Sequence, residues 1–326
     1  MRKEHAGVTD CQQDKTEFYR DVMVGLRKSA KSLPSKYFYD ARGDVLFQQI
    51  MRCPEYYLTR CEEEIFKKQT NTLVKYLFQP GKRVDLIELG VGDASKTHHL
   101  LARLLEKDYE FTYRPIDIST HIITELQTSL PTKFPSINIS AFQGDYFAGL
   151  AEFQKISSLP KIVLFLGANI GNMPREQAQD FCKQVRQYLN KGDRMLVGFD
   201  LMKNPRIVQA AYDDEAGLTW RFNINLLHRI NSELGADFNT DLFEHYCQYD
   251  PIDGTCSSYL VSLLDQVVHF SKEKISFEQG EVIHMEVSQK YKLEEINALA
   301  ERACFSPIHR ITDSKAWFVD AIWEAI

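Results

Sequence analysis

Between Val84 and Phe199 the chain alternates short apolar runs with stretches of helical periodicity, and few folds accommodate that rhythm. Val84–Leu89, Tyr113–Ile116, Ile137–Phe142, Ile162–Gly167 and Met195–Phe199 read as strands, and helical spacing such as Ser95–Leu105 fills most of the gaps. The pattern predicts a parallel sheet with helices on both faces, an α/β core. After Asp200 the alternation stops. Asn204–Glu215 and Thr219–Leu234 read as helices, with Phe222, Leu226, Leu227 and Ile230 spaced as core; Ser257–Phe270 and Glu281–Tyr291 read as strands. A helix over Leu293–Ala303 and strands over Pro307–Ile311 and Ala316–Trp323 close the chain. The core is thus expected to pause near Asp200, admit a second lobe, and be finished by the C-terminal residues.

Ahead of the core, roughly residues 14–30 read as an amphipathic helix, followed by an aromatic loop from Leu33 to Asp40. Both are expected to join the second lobe. Thr59 is placed to cap a long helix to Phe78, with Glu62, Glu63 and Glu64 in its first turn, where carboxylates suit the helix dipole.

A length of 326 residues allows two lobes. The net charge of -6, with no Lys/Arg stripe, argues against a nucleic-acid partner, whose phosphates demand clustered cations. The first residues lack the apolar run of a secretion signal, and no stretch approaches 18 apolar residues, so neither export nor a membrane partner is expected. Seven scattered cysteines without a C-x-x-C pair fit reduced thiols in a cytoplasm and no metal site. A monomer or weak oligomer acting on a small molecule fits these limits.

The chemistry begins at Leu86-Ile87-Glu88-Leu89-Gly90-Val91-Gly92. Glycines ending a first strand let the backbone turn tightly and approach a ligand, and the following helix offers free N–H groups. A dinucleotide pyrophosphate would call for a third glycine, and Ser95 stands there instead. This form suits S-adenosylmethionine, which has no pyrophosphate. Asp117, at the end of the second strand, is placed to accept both ribose hydroxyls. Asp145, after the third, is placed to meet an adenine amino group, with Tyr146 against the ring and Lys96 available for a ligand carboxylate. Singly each could be a solvated loop residue; together they occupy the sheet edge at which open α/β folds bind ligands.

Five further motifs occur in order: Leu33-Pro34-Ser35-Lys36-Tyr37-Phe38-Tyr39-Asp40-Ala41, Pro54-Glu55-Tyr56-Tyr57-Leu58-Thr59-Arg60, Phe165-Leu166-Gly167-Ala168-Asn169-Ile170-Gly171-Asn172, Ala211-Tyr212-Asp213-Asp214-Glu215-Ala216-Gly217 and Glu286-Val287-Ser288. Together they resemble the histidine Nα-methyltransferases of ergothioneine biosynthesis. The resemblance implies a class I methyltransferase (Rossmann-like) core over 62–201 and 291–326, with an α+β substrate lobe over 1–61 and 202–290. It implies that Tyr56, Gly90, Lys96, Asp117, Asp145 and Tyr146 hold S-adenosylmethionine. It also implies that Tyr39, Asn172, Tyr212, Glu286 and Ser288 hold the amino acid, the expected product being hercynine.

These roles make chemical sense. Asn172 and Tyr212 offer neutral donors to a carboxylate, and the absence of Arg keeps the field mild, so that the neighbouring ammonium can lose its proton. Tyr39 is the candidate catalytic residue, orienting the amine and relaying that proton. Phe38 and Tyr39 offer aromatic faces to a cationic product. Glu286, helped by Ser288, would accept from an imidazole N–H; a plain alternating strand would instead turn Glu286 outward, opposite Met285 and Val287. The chain departs from the family at Asn169, where Thr is usual near the expected imidazole end, and at Ser257-Ser258-Tyr259-Leu260, which lacks a Met. Those departures keep open another substrate, such as tryptophan or a modified histidine. A nicotinamide-dependent dehydrogenase and a non-catalytic nucleotide-binding regulator are the remaining alternatives. His98-His99 reads as helical, His284-x-Glu286 lacks the P-C-x-x-C of a zinc deaminase, and no hydrolase elbow is present.

Overall fold

The alternating segments form a seven-stranded sheet in a computed structural model that describes residues 6–271 and 273–326. The chain runs α1 (Ala6–Leu26), β1 (Lys31–Ser32), α2 (Ala41–Arg52), α3 (Tyr57–Lys68), α4 (Thr70–Leu77), β2 (Val84–Leu89), α5 (Thr97–Glu106), β3 (Phe111–Asp117) and α6 (Thr120–Lys133). Next come β4 (Phe142–Gln143), α7 (Tyr146–Ile156), β5 (Lys161–Phe165), α8 (Arg175–Gln187), β6 (Arg194–Asp200), α9 (Pro205–Tyr212) and α10 (Leu218–Leu234). The remainder is β7 (Phe243–Tyr249), β8 (Thr255–Ser262), β9 (Gln266–Phe270), β10 (Glu273–Phe277), β11 (Val282–Gln289), α11 (Leu293–Arg302), β12 (Phe305–Thr312) and β13 (Phe318–Ala325).

Two units emerge. The first takes Met1–Tyr57 and Asn204–Ser288, the second Leu58–Lys203 and Gln289–Ile326. Residues 1–5 of the expected 1–61 segment lie outside the described residues.

The second unit holds the large sheet, in the order β12-β13-β6-β5-β2-β3-β4. The strands from β6 to β4 are parallel, while β13 runs antiparallel to both β6 and β12. Every residue of β2 and β5 is buried, which is why these strands are mostly apolar in sequence. Ile87, Val163, Phe165, Val197, Phe199 and Trp323 join one core with Phe181 and Val185 of α8. Each such side chain contributes about 1.5–3 kcal/mol on burial.

In the first unit a four-stranded sheet runs β1-β11-β8-β7 beside the hairpin β9-β10. Its core gathers Phe18, Phe38, Phe222, Leu226, Leu227, Ile230, Phe270 and Met285, including the four positions of α10 expected from helical spacing.

Some expectations change. The first helix stops at Leu26, because Lys31 and Ser32 pair with Ile283 and His284 as a short parallel strand. The long helix to Phe78 is two helices broken at Gln69, whose side-chain amide donates to Thr312 O at 2.7 Å. Because α3 begins at Tyr57, Glu62 lies past its first turn and is fully buried. The Ser257–Phe270 strand divides into β8 and β9, and Ile137–Phe142 keeps only β4 and an isolated bridge from Ile139 to Tyr113.

Candidate active site

In the second unit the carboxyl ends of β2, β3, β4 and β5 line one edge, since the four are parallel. Gly90 leaves β2 at φ +69° and donates its N–H to Ile116 O at 2.9 Å. A Cβ on Gly90 would stand 2.7 Å from the Tyr146 hydroxyl and 3.5 Å from the Asn169 amide nitrogen. Gly90, Tyr146 and Asn169 are therefore brought together, and the Tyr146 hydroxyl can come this close only because residue 90 is glycine. Gly92, at φ +52°, donates to Asp117 Oδ2 at 3.3 Å, while Ser119 N–H reaches Oδ1 at 2.9 Å. Burial outweighs these bonds and raises the Asp117 carboxyl above its ordinary value. Burial, followed by the Asp117 charge, pushes the Tyr146 phenol to about 12, so it stays a neutral donor.

Asp145 carries a structural duty as well. Its Oδ1 caps α7, accepting from Phe147 N–H and Ala148 N–H at 3.0 Å each, and neither bond uses Oδ2. Lys96 is ion-paired with Glu62. Burial would depress the Lys96 ammonium, but Glu62 raises it on balance. The same Glu62 carboxylate accepts the Gly167 N–H at 2.8 and 3.0 Å. Gly167 and Ala168 are both left-handed, at φ +76° and +57°, and lead into the 3-10 turn Asn169–Asn172, on which Asn172 is exposed. The Asn169 side chain thus borders Gly90 and Gly167, on the side of the glycine loop.

Beneath the loop, Glu88 accepts from Tyr113 Oη at 2.5 Å and Thr97 Oγ1 at 2.7 Å. Burial overrides both bonds and lifts its carboxyl to about 7. On β13, neither oxygen of Asp320 has a hydrogen-bond partner among the described residues; burial, reinforced by Glu62, holds it well above the carboxylate range as a neutral acid.

In the first unit Tyr39 follows the turn Ser35–Phe38 and is 38% exposed. Its ring packs edge-on against Phe47 and Phe222, each 5.6 Å away. Asp40 fixes this loop, accepting from Gly43 N–H at 2.7 Å and the Asn225 amide at 2.8 Å. Tyr56 stands edge-on to Phe47 at 6.3 Å and to Tyr212 at 6.0 Å. The hydroxyls of Tyr212 and Ser288 are 2.7 Å apart and buried. Asp214 secures the turn after Tyr212 by accepting from the N–H groups of Leu218 and Thr219 at 2.7 Å each; burial opposes these bonds, yet its carboxyl ends below the ordinary value. Along β11, Ile283 and Met285 enter the core, whereas His284, Glu286 and Ser288 alternate onto the other face. Glu286 is half-buried there. The outward-facing strand position is thus the one that shares a face with Ser288 and its bond to Tyr212.

Sequence reasoning missed Glu62 and Asp320. For Glu62 a signal existed, since Leu58, Cys61, Ile65 and Phe66 lie on the same helical stripe. Among the described residues no group of three or more His, Cys, Asp or Glu side chains is gathered as a metal would require, and no helix is long and apolar enough to cross a membrane.

Over residues 18–325 the chain matches the family described as histidine-specific methyltransferase, SAM-dependent. The chain belongs to that family. It is similar to histidine N-alpha-methyltransferase of Mycolicibacterium smegmatis, 33% identical over 296 residues and 90% of each chain. The protein of the same name from Mycobacterium tuberculosis is 33% identical over 304 residues, 92% of this chain and 90% of that one. Ergothioneine biosynthesis protein 1 of Schizosaccharomyces pombe is 29% identical over 287 residues, 85% of this chain and 37% of that protein. The chain is therefore an S-adenosylmethionine-dependent methyltransferase, its large sheet the Rossmann-like core of class I enzymes, and the dehydrogenase reading is set aside. The glycine turn at Gly90 and the Asp117 carboxylate beside Gly92 fit that donor, which brings hydroxyls and no pyrophosphate.

Proposed function

We propose that this chain methylates the α-amino group of free L-histidine, repeating the transfer to the trimethylammonium betaine. The observation that carries the reading is the Tyr212–Ser288 hydroxyl pair on the Glu286 face of β11. The relatives named above support histidine as the acceptor.

S-adenosylmethionine supplies an electrophilic sulfonium methyl. Gly90, Lys96, Asp117, Asp145 and Tyr146, with Tyr56, are assigned to hold it: Asp117 takes the ribose hydroxyls, Asp145 Oδ2 the adenine amine, and Lys96 the carboxylate. Tyr212 and Asn172 take the amino-acid carboxylate with neutral donors, leaving the amine free to shed its proton. Tyr39, anchored through Asp40, orients that amine and passes the proton to water. Alignment of this kind is worth up to about 7–11 kcal/mol in well-oriented systems. Glu286, with the Ser288 hydroxyl beside it, accepts from an imidazole N–H. The first unit is assigned to the amino acid and the second to the donor, the proposed lobes being 1–61 with 202–290 and 62–201 with 291–326. The placement of Asn169 beside Gly90 gives it a role next to the donor loop. The chain is proposed to act in the cytoplasm as a monomer or weak oligomer, without nucleic-acid or membrane partners; its net charge of -6 supports the nucleic-acid part.

Incubation with S-adenosylmethionine and a mixture of amino acids, read by mass spectrometry, tests the reading. Histidine carrying one to three added methyls is expected. Preferential labelling of tryptophan or another amino acid would replace the acceptor assignment.

A further inference from the structure

Glu62 takes no part in the roles assigned above, yet three other parts of the second unit are built around it. It lies on the buried face of α3 among Leu58, Cys61, Ile65 and Phe66, where an unpaired carboxylate would be costly. One partner is the Lys96 ammonium at the N-terminus of α5. A second is the Gly167 N–H, which both carboxylate oxygens receive. The third neighbour is the sheet itself. A Cβ on Gly198 of β6 would fall well inside contact distance of Glu62 Oε1, so that glycine makes the space the carboxylate fills. A single side chain therefore ties the helix behind the glycine loop to the left-handed turn that carries Asn169 and Asn172.

An ammonium has three N–H groups. Once one is fixed on Glu62, the directions of the other two are set. We propose that Glu62 is a positioning residue for the methyl donor: it aims the remaining Lys96 N–H groups at the donor carboxylate and locks the Gly167 turn. This rests on the assignment of Lys96 to the donor and is independent of which amino acid is methylated.

The test is calorimetric titration with S-adenosylhomocysteine and S-adenosylmethionine, alongside steady-state kinetics. Glu62→Gln keeps an acceptor for Gly167 and removes the ion pair. It is expected to weaken both ligands about tenfold and raise KM for the donor more than it lowers kcat, because an interaction held alike in ground and transition states is what it loses. Lys96→Met should show a similar loss, and the double variant should be no worse than Lys96→Met alone. Gly198→Ala crowds the carboxylate without changing its charge and should reproduce the donor defect, which keeps the proposal testable should Glu62→Gln not fold. Wild-type donor affinity in Glu62→Gln and Gly198→Ala, or losses that multiply in the double variant, would overturn the proposal. A wild-type protein that binds neither ligand overturns the donor assignment and this proposal together. One that binds both but leaves histidine unmethylated removes only the acceptor assignment.

Discussion

The Tyr212 hydroxyl lies 2.7 Å from the Ser288 hydroxyl, joining the end of α9 to the end of β11 within one unit. Each hydroxyl can orient the other, so the pair acts as one donor group toward an amino acid. Tyr212→Phe and Ser288→Ala should each raise KM for histidine about 10-fold or more, in line with about 1.5–3 kcal/mol for a hydrogen bond to a charged group. Their effects should combine to less than the product. Steady-state kinetics on the singles and the double checks this, and full multiplicativity would show that the two act separately.

Glu286 should set the choice of acceptor. Glu286→Ala is expected to lower kcat/KM for histidine by up to ~10⁴-fold, since a site built around a hydrogen bond fails when one side of it is missing. S-adenosylhomocysteine affinity should stay as in the wild type. Equal losses for histidine and for an amino acid without an imidazole would show that the carboxylate reads some other part of the substrate.

Gly90→Ala combines a left-handed φ with a Cβ only 2.7 Å from the Tyr146 hydroxyl. Gly81 shares the conformation, at φ +74°, but its Cβ would meet nothing within 4 Å. Alanine at Gly81 should cost about 1–2 kcal/mol of stability from the backbone alone and leave donor binding intact. At Gly90 the same strain should come with at least a tenfold loss of S-adenosylhomocysteine affinity. Calorimetry together with thermal unfolding separates the two components.

Glu88 makes stability depend on pH. Burial lifts its carboxyl from 4.5 to about 7 in the fold, so the native state keeps a proton that the unfolded chain has released. Its contribution is complete below pH 4.5, declines as pH rises, and is gone above about pH 7. The upper limit is about 3 kcal/mol, since each tenfold change in proton affinity is worth about 1.4 kcal/mol. Glu88→Gln should flatten the fall in urea-measured stability between about pH 5 and about pH 8. An unchanged slope would place the ionisation elsewhere.

How much of this was legible in the sequence depended on whether local pattern and tertiary burial agreed. They agree in β2, β5 and β6, where strands buried on both faces are written mostly in apolar residues. They disagree in β7, whose Glu244, Tyr246 and Gln248 are solvent-facing, so the strand carries no apolar run to find. Glu62 showed the opposite conflict. A row of three glutamates looked like dipole-favouring surface residues, and the true start of α3 at Tyr57 rotates the first of them into the interior. Among site residues the glycine loop and Asp117 could be read from strand ends alone. Glu286 could not, because alternation only says that it leaves the core, onto the face where Ser288 meets the distant residue Tyr212.

The position of β13 also governs how this chain can be made. Its pairing with β6, Phe318 opposite Asp200 and Glu324 opposite Arg194, joins strands separated by the whole inserted segment. During synthesis β6 leaves the ribosome long before its neighbour exists, and until then it presents an open hydrogen-bonding edge. Such non-local pairing is slow to form. The nascent chain must wait for Phe318–Ala325 before the sheet can close, so a stall or truncation ahead of Phe318 would leave an adhesive half-product, prone to join other chains.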